Sequence, residues 1–109
     1  MIKIALDGMG GDNAPQSVIE GAYIALEQFE NIEIHLYGQQ QAMQPFLKDH
    51  PRLHVVHCEE VVEGDDDPAR AVRRKKDSSM ARMLDAVAEG TMDACLSAGN
   101  TGALMAGGL

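Results

Sequence analysis

The chain has 109 residues, of which 45% are hydrophobic and 24% are charged, and its formal net charge is −8. This is long enough for one small domain with one core, and the composition is typical of a globular protein rather than a disordered one. The acidic balance argues against nucleic acid as the main partner, and no apolar run approaches the ~20 residues that a membrane-spanning helix needs. The N-terminus lacks a signal-peptide pattern, because Asp7 directly follows a short apolar stretch, so a cytoplasmic location is expected.

The first half of the chain alternates between predicted strands and helices. Short apolar runs predict three strands, at residues 2–7, 32–37 and 53–58. A helix is predicted to begin at Pro15, because apolar residues recur from there at a spacing of three or four. A shorter helix is predicted at residues 40–49, ending before Pro51.

The composition changes sharply after residue 58. An acidic stretch at residues 59–67 predicts a surface loop, and five of the nine basic residues follow within seven positions. Four of them form a run that we call the basic cluster: Arg73, Arg74, Lys75 and Lys76. The cluster is either a solvated face that the acidic stretch neutralises, or an anion site just before a helix. In the second case, Arg would bind phosphate through two parallel hydrogen bonds and Lys as a point charge, or the cluster would contact an acidic protein surface.

The remaining elements complete an alternating α/β pattern. Asp77 or Ser78 can cap a helix that Gly90 ends, and a fourth strand is predicted at residues 93–98. Such alternation predicts a three-layer, doubly wound, Rossmann-like parallel sheet. We expect the strand order 3-2-1-4, because it brings the two glycine loops of the chain to one crevice at the carboxyl ends of the strands.

The first glycine loop spans residues 8–12. It does not complete the dinucleotide fingerprint G-x-G-x-x-G, because an asparagine occupies the position of the third glycine, and the chain contains no P-loop motif. The loop is therefore either a tight turn between strand and helix, or a substrate loop that includes Gly10 and Gly11. In the substrate loop, Asp7 or Asp12 would orient a polar group.

The second glycine loop follows the fourth strand. It consists of Ser97, Ala98, Gly99, Asn100, Thr101 and Gly102. Two glycines permit a tight turn, and the backbone N–H groups at the start of the next helix would favour phosphate or a carbonyl oxyanion. Asn100 is the best local side-chain donor for such an oxyanion. The hydroxyls of Ser97 and Thr101 do not form a nucleophile elbow, so a catalytic triad is not supported.

The cysteines and histidines predict neither a redox site nor a metal site. Cys58 and Cys95 form no C-x-x-C motif and are expected to be buried free thiols. His54 and His57 would project from opposite faces of one strand, so they could not easily share an ion. The sequence suggests no partner for His35 or His50. We therefore expect no metal and no cofactor.

Three motifs resemble those of one protein family. They are IALDGMGGD at residues 4–12, RRKKDSSM at 73–80 and SAGNTGALM at 97–105. Their order and spacing are similar to those of the PlsX family of phosphate acyltransferases in bacterial phospholipid synthesis. The resemblance covers the whole chain, so residues 1–109 are expected to form the N-terminal portion, roughly a third, of a single α/β acyltransferase domain.

The resemblance implies an enzyme that transfers a fatty acyl group from acyl-[acyl carrier protein] to inorganic phosphate, giving acyl phosphate. It also implies a cytoplasmic homodimer that associates peripherally with the inner face of the membrane. From the chemistry, we expect Asn100, Gly99 and Thr101 at the reacting centre, with Asp12 orienting a substrate or a basic residue. The expected substrate-binding residues are Gly10, Gly11, Arg73, Arg74, Lys75, Lys76, Ser97 and Gly102.

Two other functions stay open at this point. One is a non-catalytic fragment that binds phosphate or acyl carrier protein. The other is a related enzyme similar to a phosphate acetyltransferase. Residues 1–109 alone are expected to be inactive, because the rest of a family member would complete the sheet and the site.

Overall fold

The computed structural model of the protein describes residues 1–10, 14–59 and 77–97. Within these ranges, four parallel strands form one sheet in the order β3-β2-β1-β4, which confirms the predicted order. The strands are β1 (Ile2–Asp7), β2 (Ile32–Gly38), β3 (Leu53–His57) and β4 (Ala94–Leu96).

The fourth strand begins one residue later than predicted, for a local reason. The side chain of Asp93 accepts a hydrogen bond from the backbone N–H of Lys3 at 2.8 Å, while its own backbone N–H donates to the Lys3 carbonyl. A carboxylate thus replaces one backbone acceptor of the ladder, and regular pairing with β1 starts at Ala94. The predicted end of this strand, at residue 98, lies outside the described residues.

Three α-helices lie in the described part of the chain. They are α1 (Gln16–Gln28), α2 (Gln40–Met43) and α3 (Ser79–Ala88). The prediction of one helix over residues 40–49 was wrong in its second half, where a 3₁₀ turn at Gln44–Phe46 follows α2 and the chain is extended from Leu47. Pro45 explains the difference, because it has no N–H to continue the α-helical hydrogen bonds.

The helices cover both faces of the sheet, which confirms the three-layer α/β prediction within the described residues. On one face, α1 and α2 pack on β2 through a fully apolar cluster: Ile19, Ala22, Leu26, Ile34, Leu36 and Met43. On the other face, which we call the α3 face, the buried cluster consists of Ala5, Tyr37, Cys58, Met83, Ala86 and Met92. The alternation of side chains along each strand distributes the residues between the two clusters.

Local signals fix both ends of α3. The buried Ser78 caps its start, because the hydroxyl oxygen accepts a hydrogen bond from the Ala81 N–H at 3.1 Å. Gly90 ends it with a φ of +83°. Its N–H donates to the Val87 carbonyl, and the Thr91 N–H donates to the Ala86 carbonyl. The capped N-terminus of α3 lies at the carboxyl end of the sheet, beside the end of β1.

In the part of the chain that the structure describes, no helix has both the length and the apolar character needed to cross a membrane.

Candidate active site

A buried carboxylate lies at the carboxyl end of the sheet. Asp7 is the last residue of β1, and only 4% of its surface is exposed. Its Oδ1 accepts hydrogen bonds from the Ser79 hydroxyl at 2.6 Å and from the Met9 N–H at 3.0 Å. Its Oδ2 accepts a hydrogen bond from the Ser97 hydroxyl at 2.8 Å. One side chain therefore joins the end of β1, the start of α3 and the residue that follows β4.

The sheet register explains why these residues meet. β1 and β4 are adjacent parallel strands with Leu6 opposite Leu96, so the next residues along each strand, Asp7 and Ser97, lie side by side. Asp7 shares the α3 face with Ala5, two residues before it, and Ser79 is the first residue of α3. The site thus lies between β1 and β4, where the strand order reverses, which is the usual place for a ligand in a doubly wound sheet.

The donors around Asp7 are neutral. Two hydroxyls and one backbone N–H bind its carboxylate, and no Lys, Arg or His of the described ranges forms an ion pair with it. The N-terminal end of the α3 dipole adds a favourable positive potential. A buried anion of this kind would repel a bound phosphate, so the position suits Asp7 to holding site elements together rather than to binding an anion.

The first glycine loop begins as a tight turn folded against β2. The Gly8 N–H donates to the Tyr37 carbonyl at 2.9 Å, and a Cβ added at Gly8 would lie 2.6 Å from the Met43 sulfur. A larger residue at this position would have to displace the Met43 side chain and would crowd the Tyr37 carbonyl oxygen, which lies 3.3 Å from the added Cβ. Gly10 is buried, and its N–H lies 3.5 Å from the Asp7 carbonyl oxygen. The described part of the loop fits the turn interpretation. Of the two residues expected to orient a polar group, Asp7 is held by the contacts above and Asp12 lies outside the described range.

A second set of contacts joins the two ends of the segment that carries the basic cluster. The chain enters this segment after Glu59 and leaves it at Asp77, and the Glu59 N–H donates to Asp77 Oδ2 at 3.0 Å. Arg82 donates to Asp77 Oδ1 at 2.7 Å and to the His57 carbonyl at 3.4 Å. The hydrogen bond from Glu59, followed by that from Arg82, holds the pKa of Asp77 below its usual value. Both ends of the segment are thus tied together at the carboxyl edge of the sheet.

Two of the predicted site residues lie in the described ranges, Gly10 and Ser97, and both are at this end of the sheet. The remaining predicted site residues lie outside the described ranges; they are Gly11, Asp12, Arg73, Arg74, Lys75, Lys76, Gly99, Asn100, Thr101 and Gly102. Sequence reasoning missed Ser79, which is 2% exposed and bound to Asp7. No local signal in the sequence identifies it, because a serine directly after the capping Ser78 could equally be exposed to solvent.

The cysteines are free thiols, as the sequence predicted. Cys58 is fully buried and Cys95 is partly buried. Burial raises the pKa of Cys58 to about 11 and also raises the pKa of Cys95. Neither thiol is therefore suited to act as a nucleophile near neutral pH.

The known proteins that resemble this chain match nearly all of it, and the relatives share one name. The model of a family described as "Fatty acid synthesis protein" matches residues 2–109. A phosphate acyltransferase from Lysinibacillus sphaericus is 79% identical over 108 residues, which is 99% of this chain and 33% of that relative. Phosphate acyltransferases from Bacillus licheniformis and Streptococcus uberis are 58% and 54% identical, over 99% and 100% of this chain and 33% and 32% of those relatives.

The chain therefore spans about a third of the length of the curated relatives it matches. The family match covers nearly every residue, including the three motifs and the Asp7 site. This chain belongs to the fatty acid synthesis protein family, the PlsX phosphate acyltransferases that its motifs resemble.

Proposed function

We propose that this chain forms part of the active site of an enzyme that transfers a fatty acyl group from acyl-[acyl carrier protein] to inorganic phosphate. The products are acyl phosphate for phospholipid synthesis and free carrier protein. The family and the names of the relatives support acyl transfer to phosphate. The observation that carries the proposal is the Asp7 carboxylate, which holds the first residue of the second glycine loop against the start of α3.

The chemistry requires two anionic partners to meet. A phosphate oxygen attacks the thioester carbonyl carbon, and negative charge develops on the carbonyl oxygen. As the carbonyl re-forms, the carbon–sulfur bond breaks, and the sulfur of the carrier's phosphopantetheine leaves as a thiolate that takes up the proton lost by the attacking hydrogen phosphate. Asn100 and the backbone N–H groups from Gly99 to Thr101 are the proposed donors to this oxyanion. The basic cluster would neutralise phosphate, phosphopantetheine or the acidic carrier. No covalent enzyme intermediate is needed, because positioning and charge stabilisation lower the barrier.

The contacts of Asp7 suggest how the donors are positioned. Ser97 is the first residue of the second glycine loop, and its hydroxyl is bound to a carboxylate that is itself fixed by Ser79 and Met9. The loop thus starts from a fixed point on the sheet. Catalytic donors need to be held within about 0.5 Å of their productive geometry, and a buried support of this kind serves that purpose.

The direct test is Asn100→Ala in the complete protein. Loss of one oxyanion donor costs ~2.7–4 kcal/mol, so kcat for phosphate-dependent release of carrier protein should fall by about 10²–10³. Gly99→Val should be more damaging, because a branched side chain would block the approach of the substrate. The matched control is Asn31→Ala, an exposed asparagine in the turn before β2, which should leave kcat unchanged. A near-normal Asn100→Ala enzyme would overturn the assignment of the oxyanion site.

The basic cluster is tested by single replacements of Arg73, Arg74, Lys75 and Lys76 with Ala. Each should raise KM for phosphate or for the carrier protein, and the effect should shrink as salt rises, because salt screens exposed charges. Lys48→Ala, at an exposed position outside the cluster, is the control. Unchanged kinetics in all four variants would favour the solvated-face interpretation.

Comparison of substrates separates the alternatives. Preference for acyl-CoA over acyl-[acyl carrier protein] would indicate an enzyme similar to a phosphate acetyltransferase, and binding without turnover would indicate a non-catalytic protein. We also propose that residues 1–109 alone turn over little substrate, since they span a third of the relatives' length. The homodimer, the cytoplasmic location and the peripheral membrane association are proposed for the complete protein on the resemblance.

A further inference from the structure

A second polar cluster lies on the α3 face of the sheet, toward the amino ends of the strands. We call it the Glu33 cluster; it consists of Glu33, His35 and His54. The carboxylate oxygen of Glu33 is 2.7 Å from His35 Nε2 and 3.4 Å from His54 Nε2. The two imidazole rings face each other with centroids 4.8 Å apart.

Strand geometry brings the three side chains together. Glu33 and His35 are two residues apart on β2, so they project from the same face. His54 lies on β3 directly opposite His35 in the parallel register. The cluster therefore connects two neighbouring strands. It is four residues along the register from Asp7, or about 13 Å at the usual rise of a strand.

We propose that the Glu33 cluster is a binding site for a divalent transition-metal ion, with Zn²⁺ as the best match. Two imidazoles and one carboxylate form a donor set that Zn²⁺ takes in proteins. The donor atoms all lie within 4.8 Å of one another. Bond lengths of about 2.0–2.1 Å place tetrahedral Zn²⁺ ligands about 3.3 Å apart, so small side-chain movements would bring all three atoms onto one ion.

The surroundings support the donor chemistry. The side chain of His54 is 46% exposed, which leaves an entry path and an open fourth position for water. Lys3 lies beside Glu33 in the register and its charge opposes that of an ion, so a site of moderate rather than tight affinity is expected.

The chain offers a matched comparison in His57 and Glu59. This pair also has a histidine and a glutamate two residues apart, with His57 Nε2 2.6 Å from Glu59 Oε1 and the His57 side chain 41% exposed. It is not part of any three-residue metal-ligating group in the described part of the chain. A single His–Glu pair should bind Zn²⁺ much more weakly than two histidines with a carboxylate.

The experiment is a Zn²⁺ titration of the complete, chelator-treated protein by calorimetry, with Tm measured with and without Zn²⁺. Wild-type protein should bind one ion at this site, and its Tm should rise because the ion joins β2 to β3. His54→Ala and Glu33→Gln should each weaken this binding more than about tenfold, since even changes outside the ligand set can cost 10–100-fold. His57→Ala should bind as wild type does.

Each outcome decides the proposal. Co²⁺ substitution adds a readout, because tetrahedral nitrogen and oxygen ligation gives visible absorption bands that His54→Ala should abolish. Absence of Zn²⁺ binding, or equal binding by wild type and by both cluster variants, would overturn the proposal. Loss of binding in His57→Ala instead would assign the ion to the other pair. Circular dichroism confirms that each variant is folded, and the exposed position of His54 makes it the safest substitution.

Discussion

Two carboxylates on the α3 face of the sheet show opposite ways of keeping a charge in a folded protein. Asp7, at the carboxyl end of β1, is 4% exposed and is bound by two serine hydroxyls and a backbone N–H. Glu33, near the amino end of β2, has a side chain that is 21% exposed and is paired with histidines. Because the start of α3 and the residues that follow β1 and β4 surround only the first, that carboxylate must be satisfied internally, whereas the second keeps contact with water. The buried carboxylate is therefore a fixed part of the fold, and the partly exposed one can change partners.

The largest expected effect is that of Asp7→Ala on stability. Hydrogen bonds to charged groups contribute about 1.5–3 kcal/mol each, and removal of the acceptor leaves buried donors unpaired. We expect the free energy of unfolding of the complete protein to fall by about 3 kcal/mol, and to fall much less for Glu33→Ala, because water can replace the partners of that carboxylate. Urea denaturation measures both, with exposed Asp49→Ala as the control. Equal losses for Asp7→Ala and Glu33→Ala would remove the distinction between the two carboxylates.

The two adjacent serines at the start of α3 sharpen the comparison. Ser78 caps the helix, whereas Ser79 donates to Asp7, and both are buried. Ser78→Ala should cost about 1 kcal/mol of stability and leave kcat/KM nearly unchanged. Ser79→Ala should cost a similar amount but also lower kcat/KM by about tenfold or more, because it loosens the support of the second glycine loop.

Denaturant titrations and steady-state assays of the two serine variants of the complete enzyme provide the measurement. Similar activity losses in both would mean that the start of α3 acts only through stability. Full activity of Ser79→Ala would remove the proposed link between Asp7 and the reacting centre.

The sequence predicted the strand order but not the polar contacts. Alternating elements and the two glycine loops were enough to predict a sheet with β1 beside β4. The pairing of His35 with His54 depends on the register of β2 and β3, which are separated by α2, the 3₁₀ turn and the segment after it, and the sequence does not define that register. From the sequence, His54 and His57 were expected not to share an ion, and they do contact different glutamates, whereas His35 has partners that the sequence did not suggest.

Ser79 was missed for a related reason. A serine after a capping serine has no local signal that distinguishes a solvent-exposed first-turn residue from one that donates to Asp7, 72 positions earlier in the chain. Long-range contacts of this kind depend on tertiary packing. The oxyanion donors and the basic cluster stay predictions, because they lie outside the described residues.

A smaller effect concerns the pH dependence of stability that comes from the contact between Glu59 and Asp77. The pKa of Asp77 is lowered from its usual value of 3.8, so its contacts stabilise the fold when the carboxylate is ionised. That contribution is present above pH 3.8 and is lost as pH falls through the lowered value of the folded state. Asp77→Asn should therefore lower Tm at pH 7, and the difference from wild type should shrink toward pH 3. A difference that stays constant across this range would show that the charge of Asp77 contributes nothing.

The last prediction concerns the reactivity of the two thiols in the unmodified sequence, and it tests how completely the α3 face is covered. Burial raises the pKa of Cys58 from 9.0 to about 11, and Cys58 is fully buried, whereas Cys95 is partly exposed. A rise of two pH units leaves about a hundredfold less thiolate at neutral pH, and the thiolate is the form that alkylating agents attack. Iodoacetamide at pH 7 should therefore modify Cys95 before Cys58, as read by peptide mass spectrometry. Both should react at similar rates in urea, where burial is lost. Faster modification of Cys58 in the folded protein would mean that the carboxyl end of β3 opens to solvent, so the firm cover inferred for Asp7 on β1 would not extend across the sheet to β3.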